Sequence, residues 1–308
     1  MSDGVQIRLG TRRSPLAMAQ AEETARRLCA AHGWSGEAVE LVPVISSGDK
    51  IQDRPLAEIG GKALWTRELD LWLADGRIDA AVHSLKDVET IRPQEIAIAA
   101  MLPRADVRDR LVGARSIAAI PSGAVVGTSA PRRAAQILHA RPDCKVVSIR
   151  GNVASRLAKL AAGEVDATFL AAAGLKRLGE TGVGHALDPD EWLPAPSQGA
   201  IGIECLATNP RATELLAPLD DADTRAGVST ERALLAALGG TCHSPIAALT
   251  EVTGDAVVLT AAIFSPDGAH RVDGTATMAR GDYGPAHRLA RDLLDRAVPA
   301  IRSVFEAA

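Results

Sequence analysis

Short apolar runs separated by amphipathic stretches predict an α/β architecture for about the first 220 residues of the chain. Six of these runs predict buried strands, at residues 7–9, 39–45, 78–83, 124–127, 145–149 and 165–170. The stretch that begins at Pro15 has the spacing of an amphipathic helix, with proline in the first turn where its missing N–H costs nothing. Residues 48–62 are polar and rich in glycine and predict a long mobile loop, and 93–109 predict a crossover connection.

Two segments of the chain resemble each other. Leu-Ala-Asp-Gly-Arg-Ile-Asp-Ala at 73–80 is echoed by Leu-Ala-Ala-Gly-Glu-Val-Asp-Ala at 160–167, and each predicts a helix end, a glycine stop and a buried strand. The repeat indicates two related βαβ-type halves, although chance similarity of common α/β pieces is the alternative. Ligands bind beyond the carboxyl ends of strands in such sheets, so two halves facing each other would place their loops around one cleft.

The pattern changes near Asp221. A helix is predicted at 229–238, capped by Ser229 or Thr230, and a second closes the chain from about 283 to 305. Three runs with strand periodicity separate these helices, at 246–252, 257–264 and 270–278. A further strand at 201–205 is predicted to return to the first half. We therefore expect domain 1 at 1–102 and 200–219, domain 2 at 106–196, and an α+β domain 3 at 222–308.

Composition and charge exclude several classes of function. The net charge is −4, so a broad nucleic-acid surface is not expected. An apolar run of about 18 residues and a signal-peptide core are both missing, which predicts a cytoplasmic protein without a membrane span. Cysteines at 29, 144, 205 and 242 lack metal-like or disulfide-like spacing, so reduced thiols and no metal site are expected.

Arginine is concentrated where predicted strands lead into predicted helices. Arg12, Arg132, Arg133, Arg150 and Arg156 all lie in such turns. Helix N-termini and guanidinium groups both bind carboxylates and phosphates, so this placement predicts a small ligand with several negative charges. Plain surface charge is the alternative interpretation. A nucleotide is not inferred, because the glycine-rich motifs of nucleotide-binding loops are missing.

Two residues are candidates for chemistry. Asp87 follows a predicted buried strand, at the end where α/β proteins place reactive groups, and could stabilise a cation or move a proton. A surface ion pair with Lys86 is the alternative, and the nearby His83 is interpreted as structural. Cys242 lies in a Gly-Gly loop beside His243, which could promote a reactive thiolate. An inert loop thiol is the alternative there, and a zinc site would need more ligands than the loop offers.

Several motifs, taken together and in order, resemble the porphobilinogen deaminase (hydroxymethylbilane synthase) family over nearly the whole chain. They are Thr11-Arg12-Arg13-Ser14-Pro15-Leu16-Ala17, Gly60-Gly61-Lys62, Ala81-Val82-His83-Ser84-Leu85-Lys86-Asp87, Val126-Gly127-Thr128-Ser129 with Arg132-Arg133, Arg150-Gly151-Asn152-Val153, Ala173-Gly174-Leu175-Lys176-Arg177-Leu178-Gly179, Gln198-Gly199-Ala200 and the Cys242 loop. The chain departs from common family residues at Glu58, Trp65, Ala130-Pro131 and Thr241.

The resemblance implies a transferase that condenses four porphobilinogen molecules into the linear tetrapyrrole 1-hydroxymethylbilane and releases ammonia at each addition. A covalent dipyrromethane cofactor, held through a thioether by Cys242, would prime the chain, and Asp87 would be the catalytic carboxylate. The implied fold is two type II periplasmic-binding-protein-like α/β domains around a cleft, with a small C-terminal α+β domain. A monomer that binds neither nucleic acid nor membrane is also implied.

The resemblance further implies two sets of ligand contacts. Cofactor contacts are expected from Ser84, Lys86, Thr128, Ser129, Arg132, Arg133 and Arg150. Substrate contacts are expected from Arg12, Ser14, Lys62, Arg150, Arg156, Arg177 and Gln198. Each pyrrole carries an acetate and a propionate, which gives these cations and donors their partners.

Two other classes of protein compete with this interpretation. A non-catalytic two-domain binding module would fit the paired halves, but not the third domain with Cys242. An acyl-transfer enzyme could use Cys242 and His243, although adjacent side chains seldom point at each other. A free, reactive Cys242 would favour acyl transfer, and a blocked one would favour the covalent cofactor.

Overall fold

The structure is a computed structural model that describes residues 4–44, 66–241 and 243–306. The predicted mobile loop at 48–62, which includes Lys62, lies outside the described residues, as does Cys242. The chain forms two compact units, one of Met1–Ala105 with Gly199–Arg225 and one of Asp106–Gln198 with Ala226–Ala308.

Mixed α/β secondary structure runs through both units. The strands of the described residues are β1 Ile7–Arg12, β2 Val39–Val44, β3 Ala80–Ser84, β4 Ile96–Met101, β5 Asp109–Val112, β6 Val125–Gly127, β7 Lys145–Val147, β8 Ala167–Ala171, β9 His185–Ala186, β10 Ile201–Leu206, β11 Ile246–Thr253, β12 Ala256–Phe264 and β13 Arg271–Ala279. The helices are α1 Pro15–His32, α2 Arg67–Ala74, α3 Pro131–Ala140, α4 Val153–Ala161, α5 Ala172–Arg177, α6 Pro210–Leu216, α7 Ala222–Ala237, α8 Gly284–Arg296 and α9 Pro299–Glu306. All six strands predicted between residues 7 and 170 are confirmed, although at least one end of each differs from the prediction.

The first unit contains a five-stranded sheet of order β2-β1-β3-β10-β4. β1 runs parallel to β2 and β3, whereas β10 pairs antiparallel with both β3 and β4. The strand predicted at 201–205 is thus confirmed as β10, and it does return to the first sheet. The crossover predicted at 93–109 is wrong in part, because its apolar run 96–101 forms the edge strand β4.

The second unit contains another five-stranded sheet, of order β7-β6-β8-β5-β9, and the three-stranded antiparallel sheet β11-β12-β13. The predicted α+β character of the last 80 or so residues is confirmed, with α8 packed on β13. Its closing helix was predicted as one element and is two, because Pro299 lacks an N–H and disfavours helix at the preceding residue. The helix predicted at 229–238 begins earlier, where the Asp221 side chain accepts the Thr224 N–H at 2.8 Å.

The repeated segment has the same construction in both units. Gly76 (φ 66°) and Gly163 (φ 71°) both adopt the left-handed conformation that ends a helix. Asp79 then accepts the N–H of Arg8 at 2.8 Å, and Asp166 accepts the N–H of Val125 at 2.7 Å. Each aspartate therefore ties a buried strand to its parallel neighbour. This shared construction argues against chance similarity of the two segments.

No helix in the described parts of the chain is both long enough and apolar enough to cross a lipid bilayer.

Candidate active site

Asp87 lies where a buried strand ends. β3 is buried along most of its length, and a 3-10 turn at Leu85–Asp87 follows it directly. Leu85 is only 1% exposed, and its N–H donates to the carbonyl of Ala200 at 3.1 Å. The turn is therefore anchored where it leaves β3, which positions the backbone that carries the Asp87 carboxylate.

A pocket of the first unit brings the end of β3 next to the junction between β1 and α1. It is lined by Arg12, Ser14, Leu16, Ala17, Gln20, Thr66, Val82, His83, Ser84, Asp87 and Val88. Ser14 caps α1, since its hydroxyl accepts the Ala17 N–H at 3.3 Å. Gln20 bridges the two elements by donating from Nε2 to the Ser84 hydroxyl at 2.7 Å. Four predicted site residues thus share one pocket, namely Arg12, Ser14, Ser84 and Asp87.

The chemistry of this pocket is mixed. The Arg12 guanidinium and the Ser14 and Ser84 hydroxyls can donate hydrogen bonds to carboxylates. The Asp87 carboxylate can accept from N–H groups and can stabilise a positive charge. Lys86 lies in the same 3-10 turn as Asp87. The arrangement suits a ligand that carries both carboxylates and N–H groups.

A second group of predicted residues lies at two helix starts of the second unit. Thr128 is buried, and its hydroxyl accepts the Ala130 N–H at 3.2 Å just before α3 begins. Arg156, in α4, donates to the carbonyl of Gly151 at 3.0 Å and to the Ser129 hydroxyl at 3.4 Å. Asn152 caps α4 by accepting the Ser155 N–H at 2.9 Å. Arg150 precedes this cap, and Arg177 is the last residue of α5.

Arg132 and Arg133 lie in a buried ion-pair cluster of the second unit. They are 4% and 6% exposed, and both pair with the fully buried Asp109, at 2.8 Å and 2.7 Å. Asp109 also accepts from Trp192 Nε1 at 2.9 Å and from Gln198 Nε2 at 2.8 Å. Most polar atoms of these arginines therefore contact an internal cluster, and their contacts with a cofactor stay a prediction.

The Asp109 cluster holds a strongly stabilised carboxylate. Burial by itself would raise the pKa of Asp109. The charges of Arg132 and Arg133, with hydrogen bonds from Arg133 and Trp192, outweigh burial and hold the pKa of Asp109 far below its usual range. Sequence reasoning missed Asp109, because nothing local to β5 indicates that two arginines of α3 reach it.

A second buried network lies behind the pocket of the first unit, centred on Arg92. Its guanidinium contacts Asp70 at 2.6 Å, Glu89 at 2.8 Å and Glu204 at 2.9 Å. Burial would raise the pKa of Glu204, but His83 and Arg92 together lower it to about 2. Burial raises the pKa of Asp70 against the opposing effect of Arg92. The sequence did contain a signal for this network. Glu204 is a charged residue within an apolar strand, where a buried charge needs a partner of opposite charge.

The predicted cofactor anchor lies between α7 and β11. Cys242 and Lys62 lie outside the described residues, so their roles stay predictions. Around Cys242 the Thr241 N–H donates to the Ser244 hydroxyl at 3.1 Å, and the His243 N–H donates to the Thr241 hydroxyl at 3.2 Å. His243 is exposed.

Comparison with solved structures gives distant matches. The periplasmic VFT2 domain of BvgS from Bordetella pertussis (double mutant F375E/Q461E) is 17% identical with a TM-score of 0.37, over 69% of this chain and 84% of that one. A TRAP periplasmic solute binding protein from Desulfovibrio salexigens is 11% identical with a TM-score of 0.41, over 70% of this chain and 72% of that one.

Sequence comparison is much more specific. The family model described as porphobilinogen deaminase, dipyromethane cofactor binding domain, matches residues 7–214, and the model described as its C-terminal domain matches 226–296. A porphobilinogen deaminase from Sphingopyxis alaskensis is 56% identical over 305 residues, covering 97% of this chain and 96% of the relative. Another, from Paracoccus denitrificans, is 51% identical over 266 residues, covering 85% of each. The chain therefore belongs to the porphobilinogen deaminase family.

Proposed function

We propose that the chain condenses porphobilinogen at the pocket of Asp87, and that Cys242 anchors the growing pyrrole chain through a dipyrromethane cofactor. The activity itself follows from membership of the family. It is the head-to-tail condensation of four porphobilinogen molecules into 1-hydroxymethylbilane with release of ammonia. The observation that supports the proposed location is that Asp87 shares a pocket with Arg12, Ser14 and Ser84.

The residues of this pocket fit a dipyrromethane or a porphobilinogen ring. Each ring has an acetate and a propionate, which match the Arg12 guanidinium and the two serine hydroxyls. Each ring also has a pyrrole N–H, which matches the Asp87 carboxylate. When bound, the cofactor supplies the nucleophilic pyrrole carbon to which the next unit is joined.

The protein side chains have two tasks in this proposal. Arg12, Ser14 and Ser84 bind ring carboxylates and so hold the reacting carbon atoms close together. Asp87 accepts the pyrrole N–H and stabilises the positive charge that develops on the substrate as ammonia leaves. Its anchored turn supports this role, because a fixed carboxylate does not have to reorganise during the reaction. Lys86, from the same turn, is proposed to contact cofactor carboxylates.

The second unit is proposed to bind the remaining carboxylates. Thr128, Ser129, Arg150 and Arg156 lie at the starts of α3 and α4, where free N–H groups add to the binding of anions. Lys62 and Arg177 are proposed substrate contacts on the resemblance alone. For Arg132, Arg133 and Gln198, we propose a contribution through the Asp109 cluster, which ties α3 to β5.

The finer organisation of the protein is also proposed. We infer a three-domain division at 1–102 with 200–219, 106–196 and 222–308, supported by the separate family model that begins at residue 226. We further propose a cytoplasmic monomer that binds neither nucleic acid nor membrane. Light scattering on the purified protein tests the monomer, with a mass of 32.1 kDa expected.

The activity is tested by incubating the purified protein with porphobilinogen. We expect four porphobilinogen molecules to disappear for each tetrapyrrole formed, with one ammonia released for each porphobilinogen. Oxidation of the product in acid should then give a porphyrin spectrum. Consumption without ammonia, or an inert protein that also fails after preincubation with substrate, would contradict the proposed function.

A further inference from the structure

His83 lies at the wall of the pocket and against a buried carboxylate at the same time. It is 6% exposed and lines the pocket that also contains Asp87. Its Nε2 atom lies 3.2 Å from Glu204 Oε2, and that oxygen also accepts from an Arg92 amino group at 3.0 Å. Nε2 is buried, and its contact with Glu204 has the distance of an ion pair without the alignment of a good hydrogen bond. A buried ring nitrogen without a well-aligned hydrogen bond is unusual, and packing alone does not explain it.

The carboxylate decides which ring nitrogen of His83 carries the proton. Glu204 is 0% exposed and is held by Arg92 through two hydrogen bonds, from Nε at 2.9 Å and from the amino group at 3.0 Å. A lone pair on Nε2 would face this anion and be repelled, so the neutral ring keeps its proton on Nε2. Nδ1 is then left as an acceptor. None of the hydrogen bonds that the structure shows for the described residues uses Nδ1 of His83.

We infer that Glu204, anchored by Arg92, holds His83 with its proton on Nε2, so that His83 Nδ1 accepts a hydrogen bond from an N–H group of the substrate in the pocket of Asp87. This inference rests on the proposed function, since porphobilinogen offers both a pyrrole N–H and an aminomethyl group. It gives His83 a binding role where sequence reasoning gave it a structural one. Glu204 is in this account a positioning residue, because it acts only through His83.

Other charges face His83 from the elements packed around it. They are Glu204 on β10, Asp70 on α2, Arg92 beyond the 3-10 turn, and Asp87 and Arg12 at the pocket. Arg92 lies against Asp70, Glu89 and Glu204 together, and Glu204 remains ionised at neutral pH because His83 and Arg92 lower its pKa to about 2 against the effect of burial.

The first experiment reads the tautomer directly. Nitrogen-15 NMR of the histidine rings in the full-length protein should show His83, assigned by its loss in His83→Gln, with the proton on Nε2. In Glu204→Gln the neutral carboxamide no longer imposes that choice, so signals of the second tautomer should appear. Arg8→Met is the matched control, because it breaks a half-exposed ion pair with Asp79 in the same sheet and should leave the His83 signals unchanged. A wild-type ring protonated on Nδ1 would overturn the inference.

The second experiment reads the substrate contact. His83→Phe keeps a ring but no acceptor, and should lower kcat/KM for porphobilinogen about 10- to 100-fold, as expected when a buried N–H loses its partner. His83→Gln restores an acceptor oxygen and should recover part of that loss. Glu204→Gln should also lower kcat/KM, because it loosens the choice of tautomer, whereas Arg8→Met should leave kcat/KM unchanged. Unchanged kcat/KM in folded His83→Phe would overturn the inference, and so would equal losses in the Phe and Gln variants.

These results separate the inference from the function on which it rests. A wild-type protein that is inert toward porphobilinogen contradicts the proposed function, whatever the NMR shows. An active wild type whose kcat/KM is unchanged in His83→Phe, and whose His83 tautomer is unchanged in Glu204→Gln, contradicts the inference alone. Circular dichroism of every variant shows whether a loss of activity is a loss of fold. If His83→Phe does not fold, the NMR spectrum and the kinetics of Glu204→Gln decide the question.

Discussion

Asp109→Asn is expected to destabilise the protein by about 3–5 kcal/mol, because it leaves two buried guanidinium groups without their shared anion. Asparagine keeps the size of the side chain, so the change isolates the charge. Asp109 is fully buried, and Arg132 and Arg133 are 4% and 6% exposed, so water cannot replace the lost carboxylate. The free energy of unfolding, measured by urea titration with circular dichroism, gives the effect.

A matched control for this variant is Asp106→Asn. Asp106 pairs at 2.7 Å with Arg108, whose side chain is 46% exposed, and exposed pairs contribute at most about 1 kcal/mol. The pKa of Asp109 is held far below the unfolded value of 3.8, so its contribution is complete above that pH and is lost as the pH falls below it. The difference between wild type and Asp109→Asn should therefore shrink in acid. Equal effects of the two variants at neutral pH would contradict the structural role of the Asp109 cluster.

Asp87→Asn is expected to lower kcat for porphobilinogen consumption at least about 100-fold, with KM changed by no more than about threefold. The carboxylate acts on charge that develops as ammonia leaves, so its loss affects the transition state more than the bound substrate. Rates at saturating and at low porphobilinogen separate the two constants.

The control for Asp87→Asn is Asp75→Asn, which removes an exposed carboxylate just after α2 in the same unit. It should leave kcat within about twofold, since surface substitutions away from a site have small effects. A rise in KM with unchanged kcat in Asp87→Asn would mean that Asp87 binds substrate without stabilising charge. The proposed role of Asp87 would then be wrong.

Local patterns in the sequence were enough to predict much of the fold. Apolar runs bounded by glycine and charge located seven of the ten strands of the two larger sheets, because a buried strand has to be apolar along its length. The repeated segments at 73–80 and 160–167 predicted matching helix-to-strand turns, because the left-handed glycine that ends each helix acts within its own turn. Asp87 was found from its position at the end of a buried strand.

The sequence could not predict contacts between side chains that are far apart in the chain. The arginines of α3 were expected to face a ligand, and only the folded chain brings Asp109, 23 residues before Arg132, to meet them. Glu204 reaches Arg92 across 112 residues, and that contact changes the interpretation of His83. The edge strand β4 was missed because residues 93–109 as a whole were interpreted as a crossover connection.

The most direct test of the whole account is the intact mass of the purified protein under denaturing conditions, compared with Cys242→Ser. The account predicts that the wild type is heavier than its sequence by two linked pyrrole units, and that the variant has the plain sequence mass. A preparation that lacks the addition should acquire it during incubation with porphobilinogen. A wild-type mass that stays equal to the sequence mass after that incubation, or an addition of the same size on Cys242→Ser, would contradict the cofactor and its anchor.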